Sequence, residues 1–301
     1  MAENEETTEK KGLETQTEST VIKKPDIVIF EKILEVYPFL NEQEKVNYIE
    51  KTSHVGDINP LKNIQNYLQL LNNPHAEVKE LRLKGRSEFP SPIKRPDNID
   101  LESPFGVVLG DFLYIDVPSW HNRLTETTSI LDKLVDEHST AKGFIVDLRK
   151  NSGGGDSPAR KFAQHFLPTG EIVFGKHVIK KEGRTVEEPL VFHSHNDRPI
   201  NTPIVLLVSG TTFSACERFI ALIKQRGNVT IIGSETRGGS AGAVDHLIEI
   251  DGISYTILIP TWRLFLPDKD KPLEETKIQP DFYYDPTKPE IVEFAVKYLK
   301  K

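Results

Sequence analysis

Ser214 stands where a short apolar segment gives way to a helical pattern. The segment Ile204–Val208 has the continuous apolar character of a buried strand, and an apolar-faced helix is predicted to begin at Ser214. A serine at such a turn has its hydroxyl close to the unpaired N–H groups of the first helical turn. A nucleophile beside a site for negative charge can be built in this way. A structural role is equally open, because Ser214 and Glu217 match a capping box.

A run of glycines follows another apolar segment. The sequence Asp147–Gly155 (DLRKNSGGG) lies between the predicted strand Gly143–Leu148 and a predicted helix over Ser157–Phe166. Consecutive glycines let backbone N–H groups approach a ligand closely. The run has neither the Gly-Lys-Ser/Thr of a phosphate-binding loop nor the G-x-G-x-x-G of a dinucleotide site. The donors of an oxyanion hole and a plain strand-to-helix turn both stay open.

A second serine lies in a formal match to a hydrolase motif. Ser240 is the serine of a G-x-S-x-G pattern over Gly238–Gly242, and Asp245-His246 follow. The hydrolase elbow requires a helix after the serine, whereas Val244–Ile250 is predicted to be a strand. Neighbours on a strand point to opposite faces, so Asp245 cannot orient His246. We interpret this match as fortuitous.

Three other side chains have types that can bind a metal or attack a substrate. His193 and His195 would share one face of a strand, as a zinc pair does. No third ligand has recognisable spacing, so we interpret both as exposed loop histidines and predict no metal site. Cys216, in the first turn of the predicted helix, is interpreted as a small buried apolar side chain.

The composition describes a globular chain without a nucleic-acid or membrane signature. It has 301 residues, 37% hydrophobic residues, a mean hydropathy of -0.39 and a net charge of -7. This charge argues against nucleic acid or an anionic membrane as the main partner, and no apolar run reaches the length of a membrane span. The start of the chain has no apolar signal region, and the single cysteine fits a reducing compartment. We expect a cytoplasmic location, with secretion left open if the numbering is that of a mature form.

The pattern along the chain predicts four parts. A disordered polar tail covers residues 1–24, a small helical subdomain residues 25–82, a proline-rich linker residues 83–104, and an α/β core residues 105–301. Within the core we expect hairpins over Gly106–Val117 and Leu247–Ile259 and single strands over Glu171–Phe174 and Val229–Ile232. We expect helices over Glu126–His138 and Pro289–Tyr298. Alternating strands and helices predict a mostly parallel sheet.

Four blocks of the sequence resemble, in order, the motifs of the S41 serine peptidases. They are GFIVDLRKNSGGG, TPIVLLVSGTTFSACERF, GSETRGGSAG and LEETKIQPD, and the likeness spans roughly residues 28–285. That family includes the tail-specific or C-terminal processing peptidases, the tricorn core protease and the interphotoreceptor retinoid-binding protein modules. The resemblance implies a crotonase-like (ClpP/crotonase-type) α/β core, hydrolysis of peptide bonds and no cofactor.

The resemblance also implies a nucleophile and an oxyanion hole. Ser214 falls on the nucleophile of the S-A-S-E motif, where it would carry the acyl group of the intermediate. The N–H of Ala215 would supply one oxyanion donor. A glycine of the DLR-x-N-x-GG motif would supply the other, Gly154 by preference and Gly153 otherwise.

One departure from the tail-specific pattern concerns the general base. Those peptidases place a lysine in a T-F-G-K-G loop, and here that position is Gly239. No lysine occurs between Gln225 and Asp268. Arg237 cannot replace it, because a guanidinium stays protonated. A Ser–Lys dyad is therefore not expected.

The tricorn-like branch uses a histidine and a glutamate instead. His75, in Asn73-Pro-His-Ala-Glu-Val78, resembles the histidine that ends the helical part in that branch, and Glu274 falls where it carries a glutamate. We expect His75 to be the general base and Glu274 to orient it. His121 is the substitute base, and Glu275 the substitute orienting residue.

Another departure concerns the substrate. Fewer than 30 residues separate Val78 from Phe105, too few for the PDZ domain of the tail-specific peptidases. A peptide or protein substrate would be selected by the cleft itself or by a partner, and the oligomeric state stays open. The alternative is a catalytically inactive S41-fold module that binds a small apolar ligand or a peptide. A crotonase-type acyl-CoA enzyme has no CoA-binding motif here to support it.

Overall fold

The structure, a computed structural model, describes most of the chain. The described residues are 25–40, 42–52, 60–71, 73, 76–78, 89–90, 93–120, 124–181, 184–239, 243–250 and 253–301. The tail over residues 1–24 lies outside them, as do the candidate bases His75 and His121 and the serine of the G-x-S-x-G match, Ser240. What the sequence indicates for them stays a prediction.

Helices and strands alternate through the second half of the chain. The helices are α1 (Pro25–Val36), α2 (Glu42–Thr52), α3 (Pro60–Leu70), α4 (Leu124–Glu137), α5 (Asp156–Gln164), α6 (Ala215–Ile223), α7 (Leu273–Thr276) and α8 (Ile291–Leu299). The strands are β1 (Glu77–Val78), β2 (Phe105–Leu109), β3 (Phe112–Asp116), β4 (Gly143–Asp147), β5 (Gly170–Lys181), β6 (Arg184–Ser194), β7 (Ile204–Val208), β8 (Val229–Gly233), β9 (Ala243–Ile250), β10 (Ile253–Pro260), β11 (Trp262–Phe265) and β12 (Phe282–Tyr283).

A six-stranded sheet forms the centre of the core, in the order β12-β8-β7-β4-β3-β2. Every neighbouring pair is parallel except β2 with β3, which form the predicted hairpin. The prediction of an α/β fold with a mostly parallel sheet is confirmed. The apolar runs of β4 and β7 are buried along their whole length, as strands covered on both faces must be.

Alternation along the strands divides the core between the two faces of this sheet. Phe144 and Val146 of β4 pack with α4, α5 and α6, whereas Ile145 between them packs with α8. The same alternation holds along β7. Because α4, α5 and α6 cover one face and α8 covers the other, the strand ends and the loops after them are the accessible part of the sheet.

The helical residues near the start of the chain pack on a different element. Side chains of α1 and α3 form one apolar cluster with Ile257 and Ile259 of β10. The hydroxyl of Tyr48 in α2 donates a hydrogen bond of 2.5 Å to the Tyr67 carbonyl within this cluster. The β9–β10 hairpin, which the sequence predicts, therefore covers the helical part.

A third sheet, in the order β11-β5-β6, was only partly predictable. The sequence indicated a strand over Glu171–Phe174, but β5 runs on to Lys181 and pairs with β6. The first six residues of β6 are exposed and include three charged side chains, so no apolar run revealed the strand. The assignment of His193 to a loop was wrong, because it lies on β6; its side chain is exposed, as is that of His195 just beyond the strand. No described helix is long and apolar enough to cross a membrane.

Candidate active site

The loops that follow β3, β4 and β7 meet at one edge of the central sheet. The N–H of Trp120 donates to the Gly153 carbonyl at 2.9 Å, and the N–H of Gly155 returns to the Trp120 carbonyl at 2.7 Å. The N–H of Phe213, before α6, donates to the Asn151 carbonyl at 3.1 Å. Carboxyl ends of parallel strands are where open α/β sheets bind ligands.

Ser214 sits at this edge in a strained backbone conformation. Its φ is 58° and its ψ is -123°, although it is not a glycine. Its N–H points at two acceptors, the Gly239 carbonyl at 2.9 Å and Oε2 of Glu217 at 3.0 Å. The capping box that the sequence predicts between Ser214 and Glu217 is present. The side chain of Ser214 is partly exposed at the start of α6.

Gly153 packs directly against Ser214. Its φ is 99°, and a Cβ added to it would lie 2.8 Å from both the Phe213 carbonyl oxygen and the Ser214 Cβ. The same Cβ would lie 3.3 Å from the Ala215 nitrogen. Only glycine fits this position, because a side chain would be both strained and in collision with the backbone.

Two backbone donors beside Ser214 have no acceptor among the residues that the structure describes. The N–H of Gly153 donates to Oδ1 of Asn151 at 2.9 Å. The N–H groups of Gly154 and Ala215 donate to none of the described residues. An unpaired pair of N–H groups next to a hydroxyl can hold a developing oxyanion.

Asn151 fixes the loop that carries these donors. It is fully buried, and its Nδ2 donates to the Val117 carbonyl at 3.0 Å while its Oδ1 accepts from Gly153. Its side chain thus joins the loop after β3 to the loop after β4. In the sequence Asn151 is recognisable only as part of the DLR-x-N-x-GG motif, because its two hydrogen-bond partners are set by the fold.

Glu217 holds the loop after β8 against Ser214. It is fully buried and accepts hydrogen bonds from the hydroxyl of Thr236 and from the N–H groups of Gly238 (2.9 Å) and Gly239 (3.0 Å), as well as from Ser214. Burial raises the pKa of Glu217 to about 7, although the hydrogen bonds it accepts lower it. The capping box is therefore a small part of what this carboxylate does.

A family model described as Peptidase family S41 matches residues 111–284, which is more than half of the chain and includes every element of the site just described. The chain belongs to this family. The carboxy-terminal processing protease CtpA of Bacillus subtilis (strain 168) is 29% identical over 186 residues, covering 61% of this chain and 38% of that protein. The chain spans about a third of the length of the curated relatives it matches.

Solved structures show the same fold at lower identity. A protein of Parabacteroides merdae ATCC 43184, described as a candidate peptidase, is 17% identical with a TM-score of 0.70, over 92% of this chain and 96% of that one. The photosystem II D1 C-terminal processing protease is 13% identical with a TM-score of 0.53, over 87% of this chain and 92% of that one.

In the loop after β8, Gly239 stands where the tail-specific pattern has its lysine, so this position offers backbone atoms only. Gly239 is buried and touches Ser214 through its carbonyl. A lysine from another part of the chain, Lys277, does lie beside Gly238. A Cβ added to Gly238 would be 2.7 Å from the Cγ of Lys277. Its ammonium group is paired with Glu235, however.

Glu274 is a buried carboxylate without a hydrogen-bond partner among the described residues. It lies on α7, whose Leu273 and Glu274 carbonyls pack against Gly238. Burial raises the pKa of Glu274 to about 7, while the N–H of its own backbone and the charge of Arg263 lower it and the charge of Glu275 raises it. Glu275, in contrast, is exposed and lies 3.5 Å from Lys271.

The structure thus brings Ser214, Ala215, Gly153 and Gly154 together. It also places the α7 backbone against Gly238, in the loop after β8. Cys216 is fully buried, and burial raises the pKa of its thiol. The described residues contain no cluster of ligands for a metal ion. Ala243, the residue after the G-x-S-x-G match, begins β9 and not a helix, which excludes a hydrolase elbow there.

Glu274→Gln is expected to change how stability depends on pH. A carboxyl whose pKa is about 7 in the folded chain, against 4.5 for the ordinary group, stabilises the fold below pH 4.5 and loses that contribution as the pH rises through 7. Discounted for partial exposure, the loss is about 2 kcal/mol. Urea unfolding at a series of pH values should show it in the wild type and not in the variant. Glu217 titrates in both proteins and cancels, and a constant difference across this range would contradict the raised pKa.

Proposed function

We propose that this S41 chain is a serine peptidase that cleaves a peptide or protein substrate through an acyl-enzyme on Ser214. The observation that carries the proposal is the conformation of Ser214, strained at φ 58° beside the unused N–H groups of Ala215 and Gly154. Strained non-glycine residues persist where the surrounding structure imposes them, and they cluster at active sites. A carboxy-terminal processing protease among the relatives supports the same class.

In the proposed mechanism the Ser214 hydroxyl attacks the scissile carbonyl carbon as a general base removes its proton. The carbonyl oxygen becomes an oxyanion and accepts hydrogen bonds from Ala215 and Gly154. The base then returns the proton to the leaving amine, and water hydrolyses the ester. Gly153 is the weaker second donor, because its N–H already donates to Asn151.

We propose His75 as the base and Glu274 as the residue that orients it. The environment of Glu274 supports this pair, because a buried carboxylate that accepts no hydrogen bond from another described residue is costly, and an imidazole N–H would satisfy it. Glu275 is a weaker partner, since it is exposed and lies near Lys271. His121 stays the substitute base.

His75→Ala is expected to lower kcat/KM by ~10³-fold or more, because the serine then lacks its proton acceptor. Steady-state hydrolysis of one peptide by the wild type, His75→Ala and His121→Ala measures this. A large loss in His121→Ala with normal rates in His75→Ala would move the base to His121.

The competing hypothesis is a module that binds a peptide or small apolar ligand without cleaving it. Gly239 at the lysine position favours it. We suggest incubating the protein with unfolded casein and identifying new peptide termini by mass spectrometry. A peptidase generates them and Ser214→Ala does not. Casein that binds but stays intact would support the module.

A further inference from the structure

A cluster of charged and aromatic side chains adjoins the start of α6 and has no part in the proposed mechanism. We call it the Arg218 cluster; it consists of Asp156, Arg160, His177, Arg218 and Trp262. Arg218 follows Ser214 by one helical turn and donates its backbone N–H to the Ser214 carbonyl at 3.2 Å. Asp156 begins α5, immediately after the glycine loop that holds the oxyanion donors. The cluster is therefore next to the nucleophile.

The guanidinium of Arg218 is held in place from two sides. Its Nη1 lies 2.6 Å from Oδ2 of Asp156. Its central carbon lies 5.5 Å from the ring centre of Trp262, and the ring of His177 packs on Trp262 with centres 3.9 Å apart and a tilt of 31° between the rings. An arginine fixed by an ion pair and an aromatic face is preorganised to bind a further group.

Two nitrogens of the cluster are buried without a partner among the described residues. They are Nε of Arg218 and Nε2 of His177. A buried donor without an acceptor costs free energy, so such a group in a folded protein requires an explanation. One explanation is that an acceptor arrives with a ligand.

The charges of the cluster indicate the sign of that ligand. The cluster holds two guanidinium groups, of Arg218 and Arg160, and one carboxylate, of Asp156, which pairs with Arg218. Burial followed by the charges of the two arginines lowers the pKa of His177 to about 4, so the imidazole is neutral at pH 7. The side chains therefore carry a net positive charge.

A groove borders the cluster on the side of α5. Its volume is about 690 Å³, and its lining includes Asp156 and Arg160 of the cluster together with the charged side chains of Asp132, Asp136 and Lys161. Phe192 of β6 contributes an apolar wall. A peptide that lies in this groove would pass from the cluster towards the exposed face of α5.

We propose that the Arg218 cluster is a subsite that binds a carboxylate of the peptide substrate, close to the scissile bond. This inference rests on the proposed serine peptidase function. A carboxylate would accept a hydrogen bond from Nε of Arg218 and offset the excess positive charge. One helical turn is about 5.4 Å, or roughly two residues of an extended peptide, so the carboxylate would lie within about two residues of the cleaved bond. It belongs either to an acidic side chain or to the C-terminus.

The test is hydrolysis of a synthetic peptide library made in matched versions. One pair has glutamate or glutamine at the varied positions, and a second pair ends in a free acid or an amide. The proteins are the wild type, Arg218→Gln and, as a matched control, Arg226→Gln, a half-buried arginine beyond the far end of α6. We expect the wild type to cleave one carboxylate version about tenfold faster than its neutral partner. Which pair shows the preference identifies the source of the carboxylate.

Arg218→Gln should reduce this preference to near onefold, and Arg226→Gln should keep it. The preference is a ratio on one protein, so a change in the folded fraction cancels. If Arg218→Gln does not fold, Arg160→Gln is the second variant and should reduce the ratio in the same way. Equal cleavage of all versions by the wild type, or a preference that survives in the variant, overturns the subsite. A wild type that cleaves nothing and is not labelled by a fluorophosphonate overturns the peptidase function instead.

Discussion

Replacing Ser214 by alanine is expected to lower kcat/KM for peptide hydrolysis by ~10⁴-fold or more, to the background that the oxyanion donors alone provide. Ser234→Ala is the matched control, because Ser234 follows β8 at the same edge of the sheet and its Oγ contacts only the Glu235 carbonyl at 3.5 Å. This control should keep the wild-type rate.

Stability separates the catalytic role of Ser214 from its role as a cap. Glycine adopts a φ of 58° without strain, whereas alanine does not. We therefore expect Ser214→Gly to be about 1 kcal/mol more stable than Ser214→Ala in urea unfolding, with both inactive. An active Ser214→Ala variant, or an inactive one that is also unfolded, would contradict the assignment.

Glu217→Gln is expected to destabilise the fold by ~2–5 kcal/mol and to reduce activity as well. The two carboxylate oxygens accept four hydrogen bonds, from the Thr236 hydroxyl and from three backbone N–H groups. An amide can accept on its oxygen only, so its NH₂ would face donors where Oε1 or Oε2 now accepts. Because Ser214 and Gly239 share these bonds, the loop after β8 should separate from the nucleophile.

Denaturant unfolding and the rate of peptide hydrolysis measure the two effects of Glu217→Gln. The control is Glu275→Gln, which removes an exposed carboxylate and should cost less than about 1 kcal/mol. A Glu217→Gln variant as stable and active as this control would show that the buried carboxylate does not hold the loop in place.

The sequence predicted the part of the fold that depends on local pattern. Apolar runs such as Gly143–Leu148 and Ile204–Val208 became buried parallel strands, because their burial is visible in composition alone. Most of the long β5–β6 hairpin was not predicted, because its exposed strands carry charges and are held by pairing with each other. Pairing of that kind has little local signature.

In the candidate site, too, the sequence predicted the local contacts but not those between distant parts of the chain. The spacing of Ser214 and Glu217 predicts their capping box, but the other donors to Glu217 come from Thr236, Gly238 and Gly239, which only the fold brings near. The preference for Gly154 over Gly153 as the second oxyanion donor rested on the family resemblance. Its physical reason, the hydrogen bond from the Gly153 N–H to Asn151, is visible only in the structure. Arg218 and Asp156 are likewise far apart in sequence and in contact in the structure.

The most direct test of the central claim is to locate the adduct of a fluorophosphonate by tandem mass spectrometry of the digested protein. We expect a single modified serine, Ser214, in native protein, and no adduct after unfolding in urea, because the reactivity depends on the base and the oxyanion donors. Absence of an adduct from native protein, or an adduct on another serine, would contradict the assignment of Ser214 as the nucleophile.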